Sequence, residues 1–332
     1  MSLPTDAQLA WWAPLAVLRP HVDAPLPRPG SPFRVAFVGQ RTYFEVCSQT
    51  TPSPVIEPTF IEFRSGADGQ ALTARLRALA PHIVVVFRPE IIPPGALRDI
   101  DALTLGFLTE PLPRDGDGSH ADLQRRLQDL AMVDADQFDR VVAFDPHIVG
   151  SASRYVPVWR SEPLPVSDQV FSTRFEPPTT VRSLFVGRTT PHRDSWLVAA
   201  KHLYDVMHVE HGVFGSDLAE LARTFLIAIN LHNEPYPSFE NRVPLHLAVG
   251  NLVISEALSP TNGLDPGLDF LQVDDPDDLV SYLGLVAEEP SRFELVRCRG
   301  NLKAEAFRAS RVYARLVLDL LLDVAEFGRR PR

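Results

Sequence analysis

Residues 33–39 read Phe-Arg-Val-Ala-Phe-Val-Gly, and residues 181–187 read Val-Arg-Ser-Leu-Phe-Val-Gly. Each stretch is rich in β-branched and aromatic residues and ends at glycine, which is typical of a buried strand that feeds a tight turn. Polar residues follow in both places, Gln40-Arg41-Thr42 in the first and Arg188-Thr189-Thr190 in the second. The repeated pattern predicts two similar α/β halves.

Strand and helix patterns alternate through the first half of the chain. The segment from His82 to Phe87 is almost wholly apolar, which indicates a strand buried on both faces of a parallel sheet. Such alternation is typical of a doubly wound α/β domain. The predicted strands are Phe33–Val38, Thr59–Phe63, His82–Phe87, Leu103–Leu108, Arg140–Phe144 and Tyr155–Val158, and the predicted helices are Gly69–Ala80 and Ala121–Val133.

The same alternation begins again after residue 180. The tail from Pro290 to Phe327 is predicted to be helical, and Asp319 and Asp323 interrupt its last apolar run, so we expect an amphipathic helix there. The other predicted strands are Val181–Val186, Tyr204–Val209, Phe225–Leu231 and Leu252–Ser255, and the other predicted helices are His192–Leu203, Asp217–Arg223 and Phe239–Val249.

These patterns divide the chain into four parts. Residues 1–32 form an N-terminal arm, with a short helix over Ala7–Leu18 and a proline-rich segment over Pro20–Pro32. Residues 33–165 form the first Rossmann-like domain, residues 166–180 a linker, and residues 181–332 the second Rossmann-like domain with terminal helices. The expected fold is α/β, with two domains that face a cleft and C-terminal helices able to cross back to the first domain.

Composition limits the classes of partner. The chain has 332 residues, of which 45% are hydrophobic, and its net charge of −10 argues against general nucleic-acid binding, which depends on accumulated Lys and Arg. Cys47 and Cys298 lie far apart, which argues against a zinc site or a disulfide scaffold and favours a cytoplasmic location. No apolar run reaches the roughly 20 residues of a transmembrane helix, which leaves only peripheral membrane contact open.

The residues after Gly187 predict an anion-binding helix start. Thr190 is suited to the N-cap, and Pro191 to the first helical position. The unpaired N–H groups of such a helix start attract phosphate, and Arg188 and Arg193 would add positive charge. The alternative is an ordinary capped helix with surface arginines.

A second polar block runs from Asn230 to Glu256 between a strand end and a helix start. Ligands bind at this edge of open parallel sheets. Ser238, Arg242 and His246 recur every four residues, which predicts one shared helical face with Ser238 as the N-cap. The alternative is a solvated polar stripe.

The stretch from Leu184 to Asp278 resembles the donor-binding half of group 1 glycosyltransferases of the GT-B fold, particularly the CgeB-like branch. The segments Phe185–Arg193 and Glu240–Glu256 carry the resemblance. It implies a nucleotide-sugar donor as substrate, no cofactor and no metal. The implied donor-binding residues are Gly187, Arg188, His192, Arg193, His232, Ser238, Glu240, Asn241, Arg242 and His246.

One departure from the family concerns two carboxylates. The family places one or two glutamates, eight residues apart, where this chain has Ser238 and His246. This leaves open a different ribose contact, a role for Glu240 or Glu256, or a lost activity.

A metal-free transfer is expected because fixed amides together with Arg188, Arg193 and Arg242 can stabilise the negative charge of a departing nucleoside diphosphate. Asp134-Ala-Asp136 has the spelling of a metal-chelating Asp-x-Asp motif. It precedes a predicted strand instead of following one, so we interpret it as a surface loop.

The acceptor side is expected from loops that follow strands of the first domain. Candidate general bases are Glu90, Glu110 and His147. Candidate acceptor-side residues are Gly39, Gln40, Arg41, Tyr43 and Arg88.

The sequence therefore predicts a glycosyltransferase that moves a sugar from a nucleotide donor to an unknown acceptor. One alternative is a nucleotide-sugar epimerase of the same fold, which would need acid and base carboxylates in the cleft. The other is a non-catalytic nucleotide-sugar-binding or scaffold protein, which the missing glutamates favour.

Overall fold

The segment at residues 33–39 is a strand beside the edge of a six-stranded parallel sheet in the computed structural model, which describes residues 16–114, 121–172, 175–178, 180–233 and 237–329. The chain forms two units, one of Met1–Leu164 with Ala309–Arg332 and one of Pro165–Arg308. Of the predicted helix Ala7–Leu18, residues 16–18 are helical and the remainder lies outside the described residues, as does part of the predicted linker.

The first sheet has the strand order β2-β1-β3-β4-β5-β6 and the second the order β11-β10-β9-β7-β8, and every described pairing is parallel. The strands are β1 (Phe33–Gly39), β2 (Ile56–Glu62), β3 (Ile83–Phe87), β4 (Leu103–Leu108), β5 (Arg140–Ala143), β6 (Arg160–Ser161), β7 (Ser183–Val186), β8 (Val206–Val209), β9 (Ile227–Asn230), β10 (Leu252–Ser255) and β11 (Leu271–Gln272). The predicted two-sheet α/β architecture is confirmed.

Helices connect these strands, as expected for parallel neighbours. They are α1 (Arg41–Phe44), α2 (Gly69–Leu79), α3 (Ala121–Ala131), α4 (Val149–Ala152), α5 (Pro191–Leu203), α6 (Gly215–Ala222), α7 (Arg242–Val249), α8 (Pro276–Glu288), α9 (Glu294–Ala304) and α10 (Ala309–Phe327). The sequence did not predict α8, although Asp275 caps it by accepting a hydrogen bond from the Asp278 N–H at 2.9 Å.

The predicted strand Tyr155–Val158 is wrong. The N–H groups of Tyr155 and Val156 both donate to the carbonyl of Ala152, which continues the turn after α4. Pro157 has no N–H to offer a ladder. The chain pairs with β5 only from Trp159 onward, where the Trp159 N–H donates to the Val141 carbonyl at 2.7 Å.

The last helix belongs to the first unit, in agreement with the expectation that C-terminal helices cross back, whereas the sequence-based division counted residues 309–332 with the second domain. Its buried face, including Tyr313, Leu316 and Leu320, packs in one core with Phe37 and Phe87 of the first sheet. Residues of alternate parity, such as Val38 and Val86, face the other core. α10 therefore covers one face of the sheet.

The second unit buries its sheet against helices in the same way. Phe185, Ile229 and Ile254 of three neighbouring strands pack with Trp196 of α5 and Leu283 of α8. This packing fixes the carboxyl ends of β7, β9 and β10 at one edge of the sheet. No helix among the described residues is long and apolar enough to cross a membrane.

Candidate functional site

A tight turn at Gly187 ends β7. Its φ of +155° favours glycine. A β-carbon there would lie 2.9 Å from Arg242 Nη1 and 3.0 Å from Arg193 Nη1. Glycine is thus required both by the backbone conformation and by the two guanidinium groups packed against it.

The helix after this turn starts as predicted. The Thr190 side chain accepts a hydrogen bond from the Arg193 N–H at 3.2 Å, and Pro191 occupies the first helical position of α5. The Thr190 hydroxyl donates to the Asn233 carbonyl at 3.1 Å, which ties the helix start to the loop after β9. The N-terminus of α5, with its positive dipole end, therefore lies at the carboxyl edge of the sheet.

Arg193 holds the loop backbone together. Its side chain is buried, and Nε and Nη2 donate to the Leu231 carbonyl at 3.2 and 3.1 Å while Nη1 donates to the Arg188 carbonyl at 3.0 Å. Burial and repulsion from Arg242 lower the pKa of Arg193 to about 10. Main-chain carbonyls engage most of the N–H donors of this guanidinium, and Nη1 also lies 3.4 Å from Asn233 Oδ1, so the direct phosphate contact of Arg193 stays a prediction.

Arg242 has the same kind of role from the opposite side. Nη1 donates to the Val186 carbonyl at 2.7 Å and Nη2 to the Leu231 carbonyl at 2.9 Å, while Nε donates to the Asn230 side chain at 2.6 Å. Its predicted phosphate contact stays a prediction. The guanidinium links the ends of β7 and β9 and contributes its charge through the local field.

Glu240 balances these two cations. It forms an ion pair with Arg242 and lies 3.6 Å from Nη2 of Arg193. Burial raises the pKa of Glu240, but Arg242, His232 and Arg193 together outweigh this effect, and the pKa falls to about 2. The carboxylate is therefore ionised and paired with Arg242, and its role toward the donor stays a prediction.

Glu256 joins the loop after β10 to the two neighbouring segments. Oε2 accepts from the His232 backbone N–H at 2.6 Å, and Oε1 lies 2.8 Å from His192 Nε2. Because His192 is in the first turn of α5, this carboxylate connects three of the elements at the sheet edge.

Ser238 does not cap α7. The helix begins at Arg242, because Pro244 has no N–H and would interrupt a helix that started at Phe239, whereas it is tolerated in the first turn. The predicted shared helical face of Ser238, Arg242 and His246 is therefore wrong. Ser238 Oγ instead lies 3.0 Å from Nδ1 of His232, whose Nε2 lies 2.8 Å from the Ala257 carbonyl.

His246 lies in the interior. It is fully buried, its Nδ1 lies 3.1 Å from Asn251 Oδ1, and burial lowers its pKa to about 4. The predicted ligand contact is corrected, because the neutral imidazole belongs to the core beneath the sheet edge.

Arg188 and Asn241 remain on the surface of this site. The side chain of Arg188 is exposed and its Nε donates to Asn233 Oδ1 at 3.1 Å. Arg188 is therefore the arginine of this turn whose charge is accessible to a ligand.

His208 was not found from the sequence. Its Nε2 lies 2.7 Å from the Gly187 carbonyl, and Lys201 Nζ lies 2.9 Å from its Nδ1. The carbonyl can only accept, so Nε2 carries the proton and Nδ1 accepts from Lys201. A single histidine on β8 gives no sequence signal of this supporting role.

The first unit brings the candidate acceptor-side residues to one sheet edge, at the carboxyl ends of β1, β3, β4 and β5. Arg88 follows β3 with φ +62° and lies 2.8 Å from Glu90 and 3.5 Å from Glu110. Burial raises the pKa of Glu90, although Arg88 opposes this shift. His147 is exposed in the turn after β5, where its N–H donates to Asp145.

The segment after β1 is packed more tightly. A β-carbon at Gly39 would lie 3.1 Å from that of Phe87, and Gln40 is the N-cap residue of α1. Arg41 pairs with Glu45, and its N–H donates to Glu62 at 2.6 Å. Tyr43 is exposed.

Asp134 has a structural role. Its carboxylate accepts hydrogen bonds at 2.9 Å from the Arg98 side chain and from the Gly95 N–H. Asp136 is exposed in the same turn. The interpretation of this Asp-x-Asp as a loop agrees with these contacts.

Sequence comparison finds neither a matching family model nor a matching curated protein. Structural comparison does find neighbours. HepE of Anabaena, solved with UDP-glucose, is 10% identical, with a TM-score of 0.58 over 87% of this chain and 99% of its own.

Two further neighbours have comparable sequence identities and coverages. Sucrose-phosphate synthase of Thermosynechococcus elongatus gives a TM-score of 0.57 at 10% identity, over 88% of this chain and 99% of its own. α,α-Trehalose-6-phosphate synthase of Burkholderia multivorans gives 0.52 at 11% identity, over 89% and 99%. This chain therefore has the fold of these GT-B glycosyltransferases.

Proposed function

We propose that the chain is a metal-independent glycosyltransferase of the CgeB-like branch, which moves a sugar from a nucleotide sugar to an acceptor. The observation that carries the proposal is the Gly187 turn, which leads into the N-terminus of α5 at the carboxyl edge of a parallel sheet. Such an edge is where open α/β sheets bind nucleotides. HepE, which shares the fold, was crystallised in complex with UDP-glucose.

The electrostatics support binding of a diphosphate. Near the turn, three arginine side chains (Arg188, Arg193 and Arg242) outnumber two glutamate side chains (Glu240 and Glu256). Arg188 and the first-turn amides of α5 are the groups that contact phosphate in this proposal, and the buried Arg193 and the partly buried Arg242 supply a fixed positive field. Preorganised positive charge stabilises a departing nucleoside diphosphate without a metal ion.

A second candidate is a nucleotide-sugar-binding protein without turnover. Ser238 and His246 favour this candidate, because they occupy the two positions where the resembled family carries glutamates and neither is a carboxylate. His246 is also fully buried. The two candidates share the binding site and differ only in what happens to the bound sugar.

The first experiment is a thermal-shift screen of the full chain against UDP, GDP, dTDP and CMP. Stabilisation by one nucleotide is expected, and stabilisation by none of them would reject both candidates. The matching nucleotide sugar is then incubated without acceptor. Slow release of free sugar supports a transferase, an epimer among the products supports an epimerase, and an intact donor supports the binding protein.

A further inference from the structure

His192 and Glu256 form a hydrogen-bonded pair at the carboxyl edge of the second sheet. Nε2 of His192 lies 2.8 Å from Oε1 of Glu256, and the other carboxylate oxygen accepts from the His232 N–H at 2.6 Å. An ionised carboxylate can only accept hydrogen bonds, so Nε2 of His192 carries a proton. Glu256 therefore fixes the tautomer of His192 and leaves Nδ1 as the ring nitrogen available to another partner.

The Nδ1 atom of His192 distinguishes this residue from three neighbouring histidines. It has no hydrogen-bond partner within the part of the chain that the structure describes, and the side chain is 17% exposed. His208 and His232 use both ring nitrogens in contacts with the protein, and His246 is fully buried. Of these four imidazoles, that of His192 is therefore the one with a ring nitrogen to offer a ligand.

The pair lies where the diphosphate is proposed to bind. His192 is the second residue of α5, in the same first turn as the amides that contact phosphate in the proposed function, and Glu256 directly follows β10. The buried indole of Trp196, one turn later on α5, lies edge-on to the imidazole with ring centres 6.0 Å apart. The carboxylate and the indole together hold the ring in place at this edge.

The charge around His192 changes sign when a diphosphate binds. Three arginines outnumber two glutamates at this edge, and this excess of positive charge opposes a second proton on the imidazole, whereas a bound diphosphate favours it. Asp194 lies two residues further along α5, a spacing that places it on another side of the helix. The charged and titratable groups of the edge are Arg188, Arg193, His232, Glu240, Arg242 and Glu256.

We infer that His192 is the general acid for the departing diphosphate and that Glu256 positions it, an inference that rests on the proposed function. As the bond between sugar C1 and the diphosphate oxygen breaks, the electron pair stays on that oxygen and Nδ1 gives its proton to the diphosphate. The acceptor oxygen forms the new bond to C1, and its own proton passes to solvent. His192 regains a proton from water after the nucleoside diphosphate leaves.

The two partners in this transfer have similar proton affinities. Histidine side chains in general titrate at about pH 6.5, and a terminal phosphate group takes up its second proton at about pH 6. General acid catalysis is efficient when the acid titrates near the working pH, and it contributes roughly a hundredfold or more in rate. The product complex therefore holds a proton between His192 and the diphosphate.

Two histidines of α5 provide matched variants. His192→Gln removes the acid, whereas His202→Gln removes an exposed histidine from the last turn of the same helix. Glu256→Gln keeps the imidazole of His192 but removes the negative charge that favours its protonation. Thermal melting of the three variants checks that each is folded.

The test is calorimetric titration of UDP, GDP and dTDP into the full chain, slightly above neutral pH, in Tris and in HEPES. The difference in binding enthalpy between the two buffers measures the protons taken up per nucleotide bound. The wild type and His202→Gln should take up a proton as they bind, His192→Gln should bind with most of this uptake lost, and Glu256→Gln should lose at least half of it. With the nucleotide sugar and no acceptor, His192→Gln should release sugar about a hundredfold more slowly than the wild type.

The role of His192 is overturned if the wild type binds a nucleotide without taking up a proton, if His192→Gln takes up as much as the wild type, or if both proteins release sugar equally fast. Unchanged uptake in Glu256→Gln would overturn the positioning role of Glu256. Binding of none of the three nucleotides would contradict the proposed function itself, so the two failures are distinguishable.

Discussion

Gly187 and Arg242 are in such close contact that a β-carbon on Gly187 would lie 2.9 Å from the Nη1 atom of Arg242. The guanidinium cannot withdraw freely, because the same Nη1 donates to the Val186 carbonyl at 2.7 Å. The turn that is proposed to bind phosphate is therefore held in place by a partly buried side chain from α7.

Gly187→Ala should destabilise the protein through both its backbone conformation and this contact. Gly212 is a matched control, since its φ is +92° but a β-carbon there meets nothing within 4 Å. A positive φ costs a non-glycine residue roughly 1–3 kcal/mol, so both variants should lose that amount and Gly187→Ala clearly more. Urea denaturation measures the difference, and equal losses would show that the guanidinium contact is readily relieved.

Arg242→Met should lower the free energy of unfolding by about 3–5 kcal/mol, because it removes the closest cation of Glu240 and leaves only the more distant Arg193 to balance the carboxylate. Adding Glu240→Gln to the Arg242→Met variant removes the negative charge that has lost this partner. We expect the double variant to be more stable than Arg242→Met alone. If the two losses simply add, as measured by chemical denaturation, the pair does not act as a unit.

We expect the folded protein to lose stability at low pH because of His246. Burial lowers its pKa to about 4 from the ordinary value of 6.5, so between these two values the unfolded chain binds the proton and the folded protein does not. This contribution to stability is complete above pH 6.5 and is lost as the pH falls toward 4.

His246→Gln should therefore flatten the dependence of unfolding free energy on pH between 6.5 and 4. Part of the slope should persist, because the pKa of His82 is lowered to about 4 as well, by burial and the charge of Arg34. A slope identical to that of the wild type would mean that position 246 titrates normally in the folded protein.

The final helix should be essential for the first unit. Leu320 is 1% exposed and packs in the first-sheet core, whereas Leu322, two residues later on α10, is 51% exposed. Leu320→Ala should cost about 2–5 kcal/mol, and Leu322→Ala little. Similar melting temperatures for the two variants would contradict the packing of α10 on this sheet.

The sequence was most informative where local chemistry determines structure. The glycine-ended strands, the Thr190 cap and the strand Leu252–Ser255 all follow from short-range patterns, and the structure confirms them. The apolar pattern predicts a start of α7 at Phe239, but Pro244 is tolerated only in the first turn, so the helix begins at Arg242.

The roles of the charged residues could not be predicted in the same way. Arginine near a phosphate-type turn suggests a ligand contact, but the carbonyls that engage Arg193 and Arg242 belong to Leu231 and Val186, far away in sequence. Burial of His246 likewise depends on tertiary packing around α7. The exposure of Arg188 distinguishes it from the buried Arg193 and the partly buried Arg242.

We propose that the Gly187 turn binds the diphosphate of a nucleotide. The most direct test is calorimetric titration of the best nucleotide from UDP, GDP, dTDP and CMP into the wild type, Arg188→Ala and Arg182→Ala. Arg182 directly precedes β7, at the end opposite the turn, and pairs with Asp205. We expect at least tenfold weaker binding for Arg188→Ala, from loss of a charge-assisted contact of about 1.5–3 kcal/mol, and unchanged binding for Arg182→Ala. Equal affinity of all three proteins, or no binding by the wild type, would contradict it.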